Sequence, residues 1–103
     1  MPGVDLNYFI RQANKLTEQI EKRKTELAAE TVEGQAADGL VTVVATANQE
    51  IKSIKIDPKA VGDHAMLEDL VTAAVNAALT KSKEHQAAEL AKISKGIKIP
   101  GIT

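Results

Sequence analysis

The hydrophobic period of this chain changes twice, and the two changes restrict it to one order of elements. Leu6, Phe9, Ala13, Leu16, Ile20 and Leu27 recur at three- and four-residue steps, the spacing of one face of an amphipathic helix. Between Thr31 and Ile56 the period falls to two, that of strands. Helical spacing returns through Met66, Leu67, Leu70, Val71, Ala74, Val75 and Ala78 and continues more thinly through Leu90 and Ile93. The chain therefore reads helix, strands, helix.

The first helix opens at Asp5 or Pro2-Gly3 and ends where the β-branched pair Thr31-Val32 begins. Its seam is narrow, as in a coiled-coil strand, and has one defect. Between Ile20 and Leu27 it must pass through Arg23 or Lys24. Thr31 to Gly34 reads as a short strand, Ala37-Asp38-Gly39 as a turn with Gly available for positive φ, and Leu40 to Thr46 as the best strand. Asn48-Gln49-Glu50 turns the chain into a third strand, Ile51 to Ile56. Strict alternation puts Lys52, Ile54 and Ile56 on one of its faces and Ile51, Ser53 and Lys55 on the other. Asp57-Pro58 ends the meander, since Pro cannot donate into a ladder.

Asp63 is a suitable N-cap for the second helix. Its run Thr72 to Ala78 is small enough for a sheet or helix to approach closely. Gly96 and Pro100-Gly101 break the pattern. We expect one α+β domain over 1–103, with 1–4 and 96–103 flexible.

Both faces of the middle strand are apolar: Val41, Val43 and Ala45 on one, Leu40 and Val44 on the other. Three strands and two long helices make a poor core alone, and the strand edges need cover. The expected solution is a homodimer.

Composition narrows the function. Thirteen Lys and Arg against fourteen Asp and Glu give a net charge of -1, which excludes a generally basic protein. Only Tyr8 and Phe9 are aromatic, too few for base stacking. Without cysteine there is no thiolate nucleophile, disulfide or Cys-based zinc site. No uncharged run exceeds eleven residues, as in Gly39 to Gln49, about half a membrane span. The first residues have no basic segment leading into an apolar run, so no signal peptide is read, and a cytoplasmic protein without a membrane partner is expected.

The charge is nevertheless segregated. Residues 11–24 hold five basic groups against two Glu, a local +3, and residues 81–98 hold five Lys against two Glu, again +3. Residues 31–63 carry three Lys and five acids, a local -2. The helices are basic and the strand region acidic.

The stretch from Val32 to Leu79 resembles the YbaB/EbfC family of bacterial nucleoid-associated proteins. The words that carry the likeness are Gly39-Leu40-Val41-Thr42-Val43, Ile56-Asp57-Pro58, Met66-Leu67-Glu68-Asp69-Leu70-Val71 and Ala73-Ala74-Val75-Asn76-Ala77-Ala78. The resemblance implies an α-β-β-β-α protomer, a tweezer-like homodimer with the sheets at its core, and paired projecting helices. It also implies binding of double-stranded DNA with little sequence selectivity, in the nucleoid, and an influence on expression of nearby genes. Arg11 and Lys22 fall on positions usually basic in the family, and Lys81 in a basic part of its second helix. Lys15, Arg23, Lys24, Lys83 and Lys92 join the candidate DNA contacts on charge alone. Where the family often has an Asn-Gly hairpin, this chain has Asn48-Gln49.

Other chemistry is weakly represented. His64 with Glu68, or His85 with Glu89, puts two ligands on one helical face, short of the three or four that zinc needs. The Asp57 carboxylate belongs to a turn, Glu68-Asp69 suits the positive end of a helix, and neither Gly34 nor Gly39 precedes a helix as a phosphate loop would. No enzyme, metal or cofactor is expected. Asn76, in an Ala-rich helix, either sets dimer register or lies on the polar face. The rival function is an adaptor dimer that docks a protein partner on Phe9, Leu16, Ile20, Leu90 and Ile93.

Overall fold

The computed structural model describes residues 5–96. In chain order they form helix α1 (Leu6–Leu27), strands β1 (Thr31–Ala36), β2 (Val41–Thr46) and β3 (Ile51–Ile56), a 3-10 turn at Pro58–Ala60, and helix α2 (His64–Gly96). The strands form one antiparallel sheet in the order β1-β2-β3. This is the helix–meander–helix protomer that the two changes of period predict.

The ends follow local chemistry. Asp5 caps α1, its Oδ1 accepting from Asn7 N–H at 3.0 Å, and Asp63 Oδ1 accepts from Met66 N–H at 3.1 Å at the start of α2. Asp57 accepts from Lys59 N–H and opens the 3-10 turn, as an Asp-Pro turn should. α1 stops at Leu27, earlier than the β-branched pair, and Ala28 to Glu30 form the link. β1 runs two residues past Gly34 because Gln35 and Ala36 pair with Thr42 and Val41. Gly96, expected to begin a flexible tail, is the last residue of α2; residues 1–4 and the rest of that tail lie outside the described residues.

The β1–β2 turn uses positive φ at three successive residues, Ala37 (51°), Asp38 (55°) and Gly39 (92°), with Leu40 N–H donating to Ala37 O at 3.2 Å. Asp38 and Gly39, the central pair of this four-residue loop, have the φ signs of a type I′ turn, which Asp-Gly favours.

The core lies between α2 and the first two strands. Val41, Val43 and Ala45 of β2 and Ala36 of β1 are buried with Ala74 and Ala78 of α2, and Val32, Leu67, Leu70, Val71 and Val75 pack around them. At Gly34 the helix touches the strand. A Cβ built there would lie 2.2 Å from Ala78 N and 2.6 Å from Ala74 O, which is backbone and cannot step aside. The Ala-rich run thus serves close helix-on-sheet packing, and Asn76 is exposed on the polar side.

Because α2 sits over β1 and β2, β3 is left bare; all six of its residues are exposed. Ile56 and Ile54 stand opposite Val41 and Val43, so they share the α2 side of the sheet, yet they are 39% and 45% exposed. A bulge between Val44 and Ala45 of β2 sets Ile51 opposite Ala45. This corrects the strict alternation: Ile51 joins Ile54 and Ile56, because one extra residue on β3 reverses the phase.

The protomer is long, 74 × 23 × 16 Å, with a radius of gyration of 20.2 Å against about 13 Å for a compact chain of this size. A strand of six residues spans roughly 20 Å, whereas α2, with 33 residues, spans about 50 Å. Its second half therefore leaves the sheet. Gly34→Ala should cost about 3 kcal/mol or more, since backbone must move. Urea unfolding at fixed protein concentration would check this, and a midpoint within error of wild type would contradict the close approach.

Candidate nucleic-acid interface

The second half of α2 runs antiparallel to α1, so that Arg23 meets Glu89 while Glu30, after α1, meets His85. Ile20 of α1 and Leu90 and Ile93 of α2 are half-buried along this pair, and Phe9 and Leu16, nearer the start of α1, are half-buried as well. Part of the apolar stripe expected as a docking surface, Ile20, Leu90 and Ile93, lies where the two helices run side by side. Both helices need this contact, because beyond the sheet each has only the other to cover its apolar face.

Where the seam is interrupted, Arg23 lies inside it with its side chain 21% exposed. Its Nη1 donates to Glu30 Oε2 at 2.6 Å and to Glu26 Oε1 at 3.3 Å; its Nη2 donates to Glu30 Oε1 at 3.3 Å and also to Glu89. Lys92 Nζ donates to the other oxygen of Glu89, and His85 Nε2 lies 2.8 Å from Glu30 Oε1. The guanidinium fork suits this role, since one planar cation serves three carboxylates. The hydrogen bond from Arg23, then that from His85, holds the Glu30 carboxyl below its ordinary value. The bond from Lys92, then that from Arg23, lowers Glu89 from 4.5 to about 2. Those same carboxylates push the Arg23 guanidinium upward, Glu30 first.

The turn after β2 is wedged into the fork where the two helices leave the sheet. Asn48 Nδ2 donates to Lys24 O on α1 at 2.9 Å, and Asn48 Oδ1 accepts from Gln86 Nε2 on α2 at 2.9 Å. Buried Ser82 donates to Thr46 O at 2.6 Å and accepts from both Gln49 N–H and Gln49 Nε2. Ala47 N–H donates to Glu30 O at 2.9 Å, which ties the acidic link residue to the sheet.

The candidate basic residues divide into two sets. Arg11, Lys15, Lys22, Lys24, Lys81 and Lys83 are exposed and make no ion pair among the described residues. Arg11, Lys15 and Lys22, spaced four and seven residues apart, line one side of α1 away from the seam. Glu18 lies in the same row, and the Glu18–Lys22 pair that the spacing allows is not made there. Lys81 and Lys95 share one side of α2, while Lys83 points elsewhere by helical spacing. Arg23 and Lys92 form the second set, already held by carboxylates. His85 faces Glu30, not Glu89, and His64 is exposed at the start of α2. No group of three metal-ligating side chains occurs among the described residues, nor is any described helix long and apolar enough to cross a membrane.

A family model, the YbaB/EbfC DNA-binding family, matches residues 1–97. The chain belongs to that family. The YbaB/EbfC assignment is one of DNA-binding proteins, not of enzymes. Among relatives of this YbaB/EbfC chain, a nucleoid-associated protein of Myxococcus xanthus is 70% identical over the full length of both. A nucleoid-associated protein of an Anaeromyxobacter species is 45% identical, covering 96% of this chain and 98% of its own. The crystal structure of an uncharacterized protein from Helicobacter pylori matches with a TM-score of 0.80 at 12% identity, covering 89% of this chain and 99% of that one. That likeness extends to the fold.

Glu30 and Gln86 were not among the residues singled out by sequence, Glu89 was considered only as a ligand beside His85, and Asn48 only as a turn residue. The interrupted seam was the available signal: a cation on the apolar side of a helix requires an acidic partner nearby. The carboxylates give a pH signature. Because the folded-state values of Glu30 and Glu89 are depressed, their pairing stabilises the fold fully above about pH 4.5 and is lost as pH falls toward about 2. The difference in urea midpoint between wild type and Arg23→Gln should therefore be largest above pH 5 and shrink toward zero by about pH 2. A difference independent of pH would place the role of Arg23 in packing alone.

Proposed function

We propose that the protein is a homodimeric nucleoid-associated protein that binds double-stranded DNA with little sequence selectivity, organises the nucleoid and influences nearby gene expression. One observation carries the reading: seven exposed cations that make no ion pair among the described residues, Arg11, Lys15, Lys22, Lys24, Lys81, Lys83 and Lys95, lie on the two long helices, whereas the strand region, with Lys52, Lys55 and Lys59, is acidic on balance. Arg11, Lys15, Lys22 and Lys81 are the principal phosphate contacts, with Lys24 and Lys83 at the flanks. Arg23 drops out of the contact set, because a phosphate would have to displace a carboxylate from it, while Lys92, 71% exposed and bonded to Glu89 alone, stays at the flanks. Contacts of this kind position a protein without reading bases.

The dimer rests on uncovered apolar surface. The protomer exposes 7180 Å², against roughly 5,600 Å² for a compact monomer of its mass. Ile51, Ile54 and Ile56 on β3 adjoin the segment that carries exposed Val61 and Met66. An apolar edge strand of this kind requires cover, and a second copy laid against it brings two pairs of arms to one duplex. Leu6, Tyr8 and Ile10, exposed near the start of α1, support the second reading, a protein partner for the arms.

Fluorescence anisotropy with unrelated labelled duplexes, titrated with salt, tests the proposal. Binding should be similar for all duplexes, with log affinity falling against log salt at a slope of about -4 to -5. Arg11→Glu, Lys22→Glu and Lys81→Glu combined should remove it, while contacts through Leu6, Tyr8 and Ile10 persist. A wild-type protein silent at low salt would overturn the DNA reading and leave the partner reading.

A further inference from the structure

The cluster at the fork suggests a role beyond charge. Arg23 belongs to α1, Glu89, Gln86 and His85 to α2, Glu30 to the link anchored on the sheet by Ala47, and Asn48 to the turn after β2. Every element that meets at the base of the arms therefore contributes one side chain or more to one of two adjacent hydrogen-bond networks, Arg23 with Glu30, Glu89 and His85, and Asn48 with Gln86 and the Lys24 carbonyl. Half-buried cations are expected where they fix an arrangement, because a long polar side chain in a seam gives up apolar contact and needs every donor met. The acids outnumber the cations. With Arg23 and Lys92 against Glu26, Glu30 and Glu89, the cluster carries no positive excess to offer a phosphate.

We infer that Arg23, through Glu30 and Glu89 and alongside the Asn48–Gln86 bridge, is a positioning residue that locks α1 and the outer half of α2 into one rigid arm. The lock sets the spacing between the Arg11, Lys15 and Lys22 row on α1 and Lys81 on α2. It acts on DNA affinity only through that geometry, and this consequence rests on the DNA reading above. The geometry itself does not.

Charge alone and geometry predict opposite outcomes for two variants. Glu30→Gln with Glu89→Gln makes each protomer more positive by two charges, so a purely electrostatic role gives tighter DNA binding. A positioning role gives weaker binding, about tenfold if the competent arrangement falls to a tenth of the population, with the salt slope within about one unit of wild type. Arg23→Lys preserves charge. It leaves a phosphate contact nearly intact but cannot span Glu30 and Glu89 with one fork, so it should weaken binding in the same direction.

Arm geometry can be read without DNA. The chain has no cysteine, so spin labels at Gln19→Cys on α1 and Ala91→Cys on α2, both exposed, report one distance when the labelled protein is diluted with unlabelled. The wild-type background should give a narrow distribution, and either variant a broad one, with circular dichroism showing the sheet and helices retained. A distribution as narrow as wild type in both variants overturns the lock, as does tighter DNA binding by the Gln pair. If wild type binds no duplex, the DNA reading fails while the distance distributions still decide the lock.

Discussion

The approach of α2 to β1 at Gly34 governs most of what this protomer does. With Ala74 and Ala78 laid on a strand position that lacks a side chain, the helix axis is drawn to the β1 side of the sheet. Three strands span more width than one helix covers, so closeness on one side leaves the other side bare. The isoleucines of β3 are the visible result. A larger residue at Gly34 would lift the helix and weaken the burial of Val41 and Val43, which are fully inaccessible beneath it. The incomplete cover of β3 is thus tied to the quality of the core on β1 and β2.

Length produces the second consequence. A helix much longer than the strands must overshoot the sheet, and an isolated helical extension in water gains little from its own hydrogen bonds. α1 supplies the missing cover, but the seam between them is thin and carries few large apolar residues. Stability in that region depends more on the polar groups set into it than a core helix would require. This explains why a half-buried Arg, three carboxylates, an Asn and a Gln gather where the apolar contact is weakest. It also explains how a near-neutral chain keeps basic arms. Acidic residues that would otherwise cancel the arms' charge are partly spent on Arg23 and Lys92, leaving Arg11, Lys15, Lys22 and Lys81 exposed on the outer sides.

Much of this was legible in the residues. The changes of period located all five main elements, Asp5 and Asp63 marked the starts of the two helices because short acidic side chains accept from nearby backbone N–H groups, and Asp57-Pro58 marked the end of the meander. The small residues of Thr72 to Ala78 announced a close approach, though its target, Gly34, could be found only once the strand was placed against the helix. What escaped was long-range or irregular. The bulge at β3 reversed the face of Ile51, since one inserted residue is invisible to a two-residue period. The roles of Glu30 and Glu89 depend on which acids fold toward Arg23, and simple helical spacing favoured local pairs such as Glu18 with Lys22. Counting charge by segment likewise treated Arg23 and Lys22 as equals, although one lies in the seam and the other in water.

The turn after β2 shows how these levels join. Gln49 adopts a φ of 61°, a conformation that costs an ordinary residue about 1–2 kcal/mol and that Gly would accept freely, as in the Asn-Gly hairpin common in the family. Here a longer side chain is tolerated because it acts elsewhere. Gln49 Nε2 donates to Ala47 O and to Ser82 Oγ, its N–H donates to Ser82 Oγ as well, and the serine in turn donates to Thr46 O. Strain in the hairpin is offset by hydrogen bonds to a fully buried group on α2. The adjoining Asn48 continues the connection to α1 and to Gln86. The hairpin therefore fixes the sheet against the point where both arms depart, and a turn that sequence treats as a simple reversal becomes the structural link between core and arms.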